Sequence, residues 1–203
     1  RGLRPPGLLG PAVPAIPLRL PARWARPTQG PLPPAALFVT AFVPESLAPG
    51  YAARHPEVMW VGCQVTLEGG LAAGTADLVR ARAAKATALL IGPGLGAEAE
   101  TVALAAHLAG EAKMPLVLDA DALRLEVVAC VRAKPFIGTP HAGEFERIAP
   151  ALFTGGKFTA AQGVLVLKGP LTRVTDGKTI YHSPFGGPVL VPGDAGGSRL
   201  MTA

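Results

Sequence analysis

Short apolar runs alternate with longer segments of helical spacing along most of the chain. The strand-like runs occupy residues 37–43, 58–63, 89–92, 116–120, 135–139 and 164–168. The helix-like segments occupy residues 44–54, 71–86, 97–113 and 121–130. Strands that alternate with helices predict a parallel sheet flanked by helices. Asp176-Gly177, near the end of the pattern, predicts a closing hairpin.

Three of the strand-like runs end in glycines or polar residues and then lead into a helix. They read LLIGPGLG (Leu89–Gly96), PLVLDADAL (Pro115–Leu123) and IGTPHAGEFERI (Ile137–Ile148). A fourth run, VLVLKGPLTRVTDG (Val164–Gly177), contains a Lys-Gly pair where its strand ends. Parallel strands present their carboxyl ends at one edge of the sheet, which is where open α/β folds bind ligands. We therefore expect these four tips side by side at a binding site.

The composition indicates one neutral domain that follows a basic N-terminal segment, which we call the head. The 203 residues are enough to bury a core. The formal net charge of +5 arises from residues 1–34, which hold five Arg and no Lys, Asp or Glu, and the remainder carries 14 basic and 14 acidic side chains. A neutral body lacks the basic stripe of a nucleic-acid surface, and no apolar run is long enough to span a membrane. Two cysteines without metal-ligand spacing, Cys63 and Cys130, predict reduced thiols in the cytosol.

The head, residues 1–34, is predicted to lie outside the folded domain, which we assign to residues 35–203. It carries ten of the 22 prolines, and proline removes backbone donors and fixes φ, so neither a helix nor a central strand is expected there. The segment also lacks the serines of an organellar transit peptide. Its Arg/Pro/Ala/Gly bias leads to the hypothesis that the head is an out-of-frame translation of GC-rich coding DNA. Resequencing the gene tests this hypothesis, and an intact open frame would reject it.

The glycine-rich tip Gly92–Gly96 supports two interpretations. Glycines between a strand and a helix let the backbone approach a ligand, and free N–H groups at a helix start favour anions such as phosphate. The same glycines also suit a tight strand-to-helix turn that binds nothing. Spacing alone leaves both interpretations open.

The polar residues at the other strand tips also allow both a functional and a structural interpretation. Asp119 and Asp121 either bind Mg²⁺ through water or orient a ligand hydroxyl, or one of them caps the following helix. His141 lies in a Pro/Gly loop beside Glu144, which is either a site residue or half of a capping interaction. Lys168 is either a point charge for a nucleotide phosphate or an edge lysine.

Taken together and in order, these segments resemble the NAD(P)H-hydrate dehydratase family, a branch of the ribokinase-like superfamily. The similarity runs from about residue 37 to residue 188, and the combination of GPGLG, LDADAL, TPHxGE and LKG is specific to the family. It is carried by VTAFVPESLA (Val39–Ala48), PEVMWVG (Pro56–Gly62), IGPGLG (Ile91–Gly96), PLVLDADAL (Pro115–Leu123), TPHAGEFERI (Thr139–Ile148) and VLKGPLTRV (Val166–Val174).

The resemblance implies a ribokinase-like α/β fold with a central, mostly parallel sheet flanked by helices on both faces and incomplete at both ends. It implies a cytoplasmic metabolite-repair lyase that dehydrates the S epimer of hydrated NADH or NADPH, using ADP or ATP with Mg²⁺. No nucleic acid, membrane or protein-held metal cluster is expected, and a homo-oligomer is an option. By resemblance, the hydrated dinucleotide is bound by Gly96 and His141, and the adenine nucleotide by Lys168, Gly169, Pro170, Leu171, Thr172 and Gly196.

The family's catalytic aspartate has no aligned counterpart in this sequence. Aligning the ending Gly186–Ala203 from the left places Gly197 at that position, whereas aligning on Gly-Gly-Ser places Arg199 there; Asp194 is the nearest candidate. The resemblance therefore implies impaired turnover in a chain truncated or frameshifted at both ends. Two alternatives are a catalytically dead nucleotide-binding module and a ribokinase-like kinase of a vitamin-precursor alcohol. The TPHAGEFERI motif counts against the kinase.

Overall fold

The computed structural model describes residues 38–160 and 162–183 as an α/β fold. The helices are α1 (Ala48–Arg54), α2 (Thr75–Ala83), α3 (Ala99–Glu111), α4 (Leu125–Val131) and α5 (Ala142–Leu152), with a 3₁₀ turn at Ala120–Ala122. The strands are β1 (Val39–Pro44), β2 (Val58–Cys63), β3 (Leu89–Ile91), β4 (Leu116–Leu118), β5 (Phe136–Gly138), β6 (Phe153–Thr154), β7 (Lys157–Phe158), β8 (Gly163–Leu167), β9 (Thr172–Thr175) and β10 (Ile180–Ser183).

The central sheet has six strands in the order β10-β9-β8-β5-β4-β3. Strands β3, β4, β5 and β8 are parallel, and one row of the register joins Leu90, Val117, Ile137 and Val164. Strands β9 and β10 continue the sheet in antiparallel fashion. The predicted α/β class with a mostly parallel central sheet flanked by helices is confirmed; in the described ranges the helices that follow β3, β4 and β5 pack on one face, whereas the resemblance implied helices on both.

The apolar core lies between this sheet and helices α3, α4 and α5. Leu116, Leu118, Phe136 and Leu165 are at most 2% exposed and point to one face of the sheet, as period-two alternation requires. The strand order increases steadily from β3 to β8, so right-handed connections place the three intervening helices on that same face. Their contributions to the core are Val102, Ala105, Ala109, Val127, Val128, Val131, Ile148 and Leu152.

Strands β1 and β2 form a separate parallel pair that, within the described residues, hydrogen-bonds to no other strand. Helix α1 packs on β2, and the ring of Tyr51 stacks on Trp60 with centroids 4.8 Å apart. Most side chains of the pair are partly or fully exposed, including Val39 and Met59, while Cys63 is buried. Burial raises the pKa of the Cys63 thiol, so the thiolate is disfavoured.

Several predicted helices have other bounds in the structure than the sequence pattern suggested. Helix α1 begins at Ala48 because Pro44 still pairs with Cys63 in the β1–β2 ladder. Helix α2 begins at Thr75 because Leu71 forms a bridge with Val65. The helix expected over residues 121–130 divides into the 3₁₀ turn and α4, since Arg124 between them adopts an extended conformation.

The predicted hairpin at Asp176-Gly177 is confirmed. It joins β9 to β10, and the Asp176 carboxylate accepts hydrogen bonds from the N–H groups of Lys178 and Thr179. These bonds, led by the one from Thr179, hold the pKa of Asp176 below its usual range. Gly177 has φ +83°, a conformation that favours glycine.

Several predictions concern residues outside the described ranges. They are the head and its boundary at residues 34 and 35, and Asp194, Gly196, Gly197 and Arg199 of the ending. Within the part of the chain that the structure describes, no helix is long and apolar enough to cross a bilayer.

Candidate functional site

The tips of β3, β4, β5 and β8 meet at one edge of the central sheet, as predicted. Hydrogen bonding continues past each strand end: the N–H of Asp119 donates to Ile91 at 3.1 Å, and the N–H of Thr139 donates to Leu118 at 3.0 Å. The N–H of Lys168 donates to Pro140 at 2.8 Å. Backbone hydrogen bonds therefore join the strand ends into one continuous edge, which carries the polar side chains. We call this edge the platform.

The Gly92–Gly96 loop leans on the β4 tip. Gly92 has φ +138°, and a methyl group at this position would overlap the carbonyl oxygen of Asp119. The N–H of Gly96 donates to Asp121 Oδ2 at 2.9 Å. Glycine thus allows the backbone of this loop to pack closely against the residues that follow β4. The loop also ends before α3, whose N-cap is Glu98.

Asp119 and Lys168 form an ion pair within the platform. Lys168 Nζ lies 2.7 Å from Asp119 Oδ1, and the two side chains are 10% and 14% exposed. Burial by itself raises the pKa of Asp119, but the hydrogen bond from Lys168, the neighbouring Thr139 hydroxyl and the Lys168 charge outweigh it and leave that pKa below its usual range. Asp119 is therefore an anion that holds the lysine.

Asp119 and Asp121 do not cap a helix, so that alternative is wrong for both. The 3₁₀ turn after Asp119 and helix α4 after Arg124 both begin without a side-chain cap. Ala120, between the two aspartates, has φ +47°, a strained conformation for a residue other than glycine. This kink separates the two carboxylates, one toward Lys168 and the other toward Gly96.

His141 and Glu144 form the capping box that the sequence suggested for Glu144. His141 is the N-cap of α5, and its Nδ1 accepts from the N–H groups of Gly143 at 3.1 Å and Glu144 at 3.3 Å. In return, Glu144 Oε2 accepts from the N–H of His141 at 2.8 Å. Both groups satisfy donors at a helix start, and the outer side of the His141 ring stays partly exposed.

The turn between β8 and β9 carries the remaining predicted nucleotide-binding residues. Gly169 is half-buried, whereas Pro170 and Leu171 are exposed at the site edge. Thr172 is buried at the start of β9. The turn that follows Lys168 in the chain therefore offers an accessible surface at Pro170 and Leu171.

Thr139 is a contributor that the sequence analysis missed. Its hydroxyl donates to the carbonyl of Leu118 at 3.4 Å and is near enough to Asp119 to help lower the pKa of that carboxyl. The signal available in the sequence was its position directly after β5, in the TPHAGE motif.

The described residues do not fit a magnesium ion held by the protein alone. Over residues 38–160 and 162–183, no three His, Cys, Asp or Glu side chains converge. Asp119 is paired with Lys168, and Asp121 accepts from Gly96. The suggestion that either aspartate binds Mg²⁺ stays a prediction.

Comparison with known proteins identifies a family. A profile of the family described as NAD(P)H-hydrate dehydratase matches residues 52–197. The chain belongs to this family. The match includes all four strand tips of the site, and the family resemblance drawn from the motifs is confirmed.

Individual members of the NAD(P)H-hydrate dehydratase family are similar over part of their length. The bifunctional NAD(P)H-hydrate repair enzyme Nnr of Gloeobacter violaceus is 38% identical over 167 residues, which cover 76% of this chain and 32% of that protein. The ADP-dependent (S)-NAD(P)H-hydrate dehydratase of Xanthomonas campestris is 38% identical over 104 residues, covering 51% of this chain and 35% of that protein. The chain thus spans about a third of the length of these relatives.

A solved structure supports the fold. The hypothetical protein SMU.573 of Streptococcus mutans superposes with a TM-score of 0.52 at 22% identity, covering 71% of this chain and 54% of that one. This likeness concerns the fold alone.

Proposed function

We propose that this chain dehydrates the S epimer of hydrated NADH or NADPH with ADP as the phosphoryl donor. The observation that supports the proposal most strongly is the convergence of Gly96, His141 and Lys168 on one sheet edge, in a chain of the NAD(P)H-hydrate dehydratase family. The name of the Xanthomonas campestris relative supports ADP as the nucleotide.

The proposed chemistry needs a phosphoryl transfer followed by an elimination. The ring hydroxyl of the hydrate takes the terminal phosphoryl group of ADP, which leaves AMP. Phosphate then departs with the electrons of its C–O bond while a neighbouring ring carbon loses a proton, which restores the dihydropyridine. Positively charged and N–H groups stabilise the charge on a transferred phosphoryl group, and the Lys168 ammonium is suited to this task.

Each predicted binding residue receives a part in this proposal. Gly96 and His141 contact the hydrated dinucleotide. The adenine nucleotide is bound by the segment from Lys168 through Gly169, Pro170 and Leu171 to Thr172, together with Gly196. Mg²⁺ enters as the counter-ion of the nucleotide phosphates, because the described side chains offer it no cluster of their own. A cytoplasmic location and a homo-oligomer stay predictions.

The proposal includes slow turnover, because no aspartate aligns with the family's catalytic base. A positioned general base contributes about a hundredfold to ten-thousandfold in rate. Asp194 is the nearest carboxylate in the sequence, and Gly197 and Arg199 are the two positions that the alternative alignments give to the base. We expect Gly197→Asp or Arg199→Asp to raise the rate of dehydration, whereas Asp194→Asn lowers the residual rate.

The test is to incubate the full chain with the hydrated dinucleotide, ADP and Mg²⁺ and to follow dihydronicotinamide absorbance and released phosphate. The Xanthomonas campestris enzyme serves as the reference, and Glu146→Gln on the exposed side of α5 is the matched control for variants of the site. Formation of NADH with orthophosphate, slower than the reference and faster with a restored aspartate, supports the proposal.

Other products would contradict it. A stable phosphate ester identifies a small-molecule kinase. Nucleotide binding without turnover, even after the aspartate is restored at either position, identifies a nucleotide-binding module. Failure to bind either ligand rejects the proposed function for this chain.

A further inference from the structure

The carboxylate of Glu144 is buried at the start of α5 and contacts His141 twice. Its side chain is 5% exposed. Oε2 accepts the backbone N–H of His141 at 2.8 Å, and Oε1 lies 3.3 Å from Nε2 of the His141 ring. One carboxylate therefore touches both the main chain and the ring of the same residue.

The neighbours of the His141 ring define its tautomer. Nδ1 accepts from the N–H groups of Gly143 and Glu144 and must therefore carry a lone pair. In the neutral imidazole, the proton then sits on Nε2. Nε2 lies 3.3 Å from Oε1 of Glu144, so the negative carboxylate attracts the Nε2–H side of the ring.

The same carboxylate also lies beside Lys168. Its Oε2 is 4.0 Å from Lys168 Nζ, which Asp119 also binds at 2.7 Å. Water reaches little of this group, so the attraction between the charges is less screened than at the surface. Glu144 thus connects the residue proposed to contact the dinucleotide with the lysine proposed to contact the nucleotide.

We propose that Glu144 is a positioning residue that couples the two halves of the site. Its carboxylate supports the Nε2–H tautomer that the N–H groups of Gly143 and Glu144 select, and it attracts the Lys168 ammonium, so a ligand bound at one of these residues favours binding at the other. The identity of the two ligands rests on the proposed function. Coupling of this kind is reciprocal: each ligand strengthens the other by the same factor.

An amide cannot replace the carboxylate in this position. Oε2 of Glu144 accepts the His141 N–H, and Oε1 lies 3.3 Å from the ring Nε2. In Glu144→Gln one of these oxygens becomes an NH₂ group, which meets a donor and cannot accept. The variant has nearly the same shape, so its defect isolates the lost acceptor and charge.

The first experiment reads the His141 ring without any ligand. Long-range ¹H–¹⁵N NMR of the full chain distinguishes the two imidazole tautomers, and the signals are assigned with His141→Gln. We expect the Nε2–H tautomer alone in the unaltered chain and in the control Glu146→Gln, whose carboxylate is exposed on the same helix. In Glu144→Gln we expect a mixture of tautomers.

The second experiment measures coupling with ADP and NADH as stable probes. Titration calorimetry gives the Kd of ADP with and without saturating NADH, and the reverse. We expect each ligand to tighten the other about fivefold or more in the unaltered chain and in Glu146→Gln. In Glu144→Gln the ratio should fall to about one.

If Glu144→Gln does not fold, Glu144→Asp takes its place, since it keeps the charge but is one methylene too short to reach every partner. Either variant overturns the proposal if the Nε2–H tautomer persists or if the coupling ratio is unchanged. A ratio of one in the unaltered chain also overturns the coupling. If the unaltered chain binds neither probe, the proposed function fails, and the NMR result alone decides whether Glu144 positions His141.

Discussion

The central sheet and the β1–β2 pair use the same parallel pairing with opposite degrees of burial. In β4 the core-facing residues Leu116 and Leu118 are at most 2% exposed, because a strand lies on each side and helices cover one face. In the β1–β2 pair, Val39 is 47% and Met59 is 51% exposed. Parallel strands are normally covered on both faces. The central sheet is therefore the well-buried half of the structure, and the β1–β2 pair is the sparsely covered half.

The difference in burial explains why the site lies on the central sheet. All four polar tips belong to strands of the central sheet, so the Asp119–Lys168 pair and the His141–Glu144 cap rest on a rigid support. Sites held by packed elements keep their geometry better than sites on loops. The β1–β2 pair supplies none of the hydrogen-bonded site groups described above.

The largest effect expected from this contrast is in the core. Phe136 is fully buried in β5, and its ring packs on Gly163 and Gly138 of the sheet. Phe136→Ala should lower the free energy of unfolding by about 3–5 kcal/mol. Met59→Ala in the β1–β2 pair should change it by about 1 kcal/mol or less. Urea unfolding followed by circular dichroism measures both, and similar losses would show that the two regions are equally important for stability.

The next effect concerns the glycine loop on the edge of the sheet. Gly92→Ala should cost roughly 2–4 kcal/mol, because the new methyl group meets the Asp119 carbonyl at a φ that L side chains rarely adopt. Gly94→Ala is the control, since it also has positive φ, +70°, but open space around it, and should cost roughly 1 kcal/mol. Thermal unfolding compares the two. Equal costs would mean that φ alone, and no contact with the β4 tip, constrains the loop.

The sequence predicted the strands of the central sheet well because their signals are local. Apolar runs such as LVL at β4 end at polar residues, and the carboxyl ends of parallel strands must share an edge. The capping interaction of Glu144 was also accessible, since it spans only three residues.

Contacts between distant segments were beyond the same reasoning. The pairing of Asp119 with Lys168 joins positions 49 residues apart, and the Asp121 contact with Gly96 depends on the left-handed turn at Ala120. No local pattern reports the direction of such a side chain. The isolation of the β1–β2 pair was equally hidden, because its apolar runs look like those of the central sheet.

The buried ion pair should give the well-buried half a pH dependence. The pKa of Asp119 is depressed in the folded chain, so its contribution is complete above the ordinary carboxyl value near pH 4 and is lost as the pH falls through the folded value. Asp119→Asn should cost about 1–3 kcal/mol at neutral pH, and the difference from the unaltered chain should shrink below about pH 4.

Urea unfolding at several pH values tests this sign. Asp77→Asn is the control, because its ion pair with Arg80 is exposed on α2 and should contribute much less to stability than the Asp119–Lys168 pair. A difference for Asp119→Asn that grows as the pH falls would contradict the assignment of Asp119 as a paired anion.

The smallest effect should be confined to the β1–β2 pair. Trp60 stacks on Tyr51, and its indole N–H donates to the carbonyl of His55 at 2.9 Å at an exposed position. Trp60→Phe keeps an aromatic ring and removes that bond, which should cost about 0.5–1 kcal/mol. If the pair opens separately from the central sheet, hydrogen exchange should accelerate about twofold to fivefold at Val58–Cys63 and stay unchanged at Leu116–Leu118. Acceleration of both segments together would mean that the chain unfolds as one cooperative unit, and the contrast in burial would then have no counterpart in local stability.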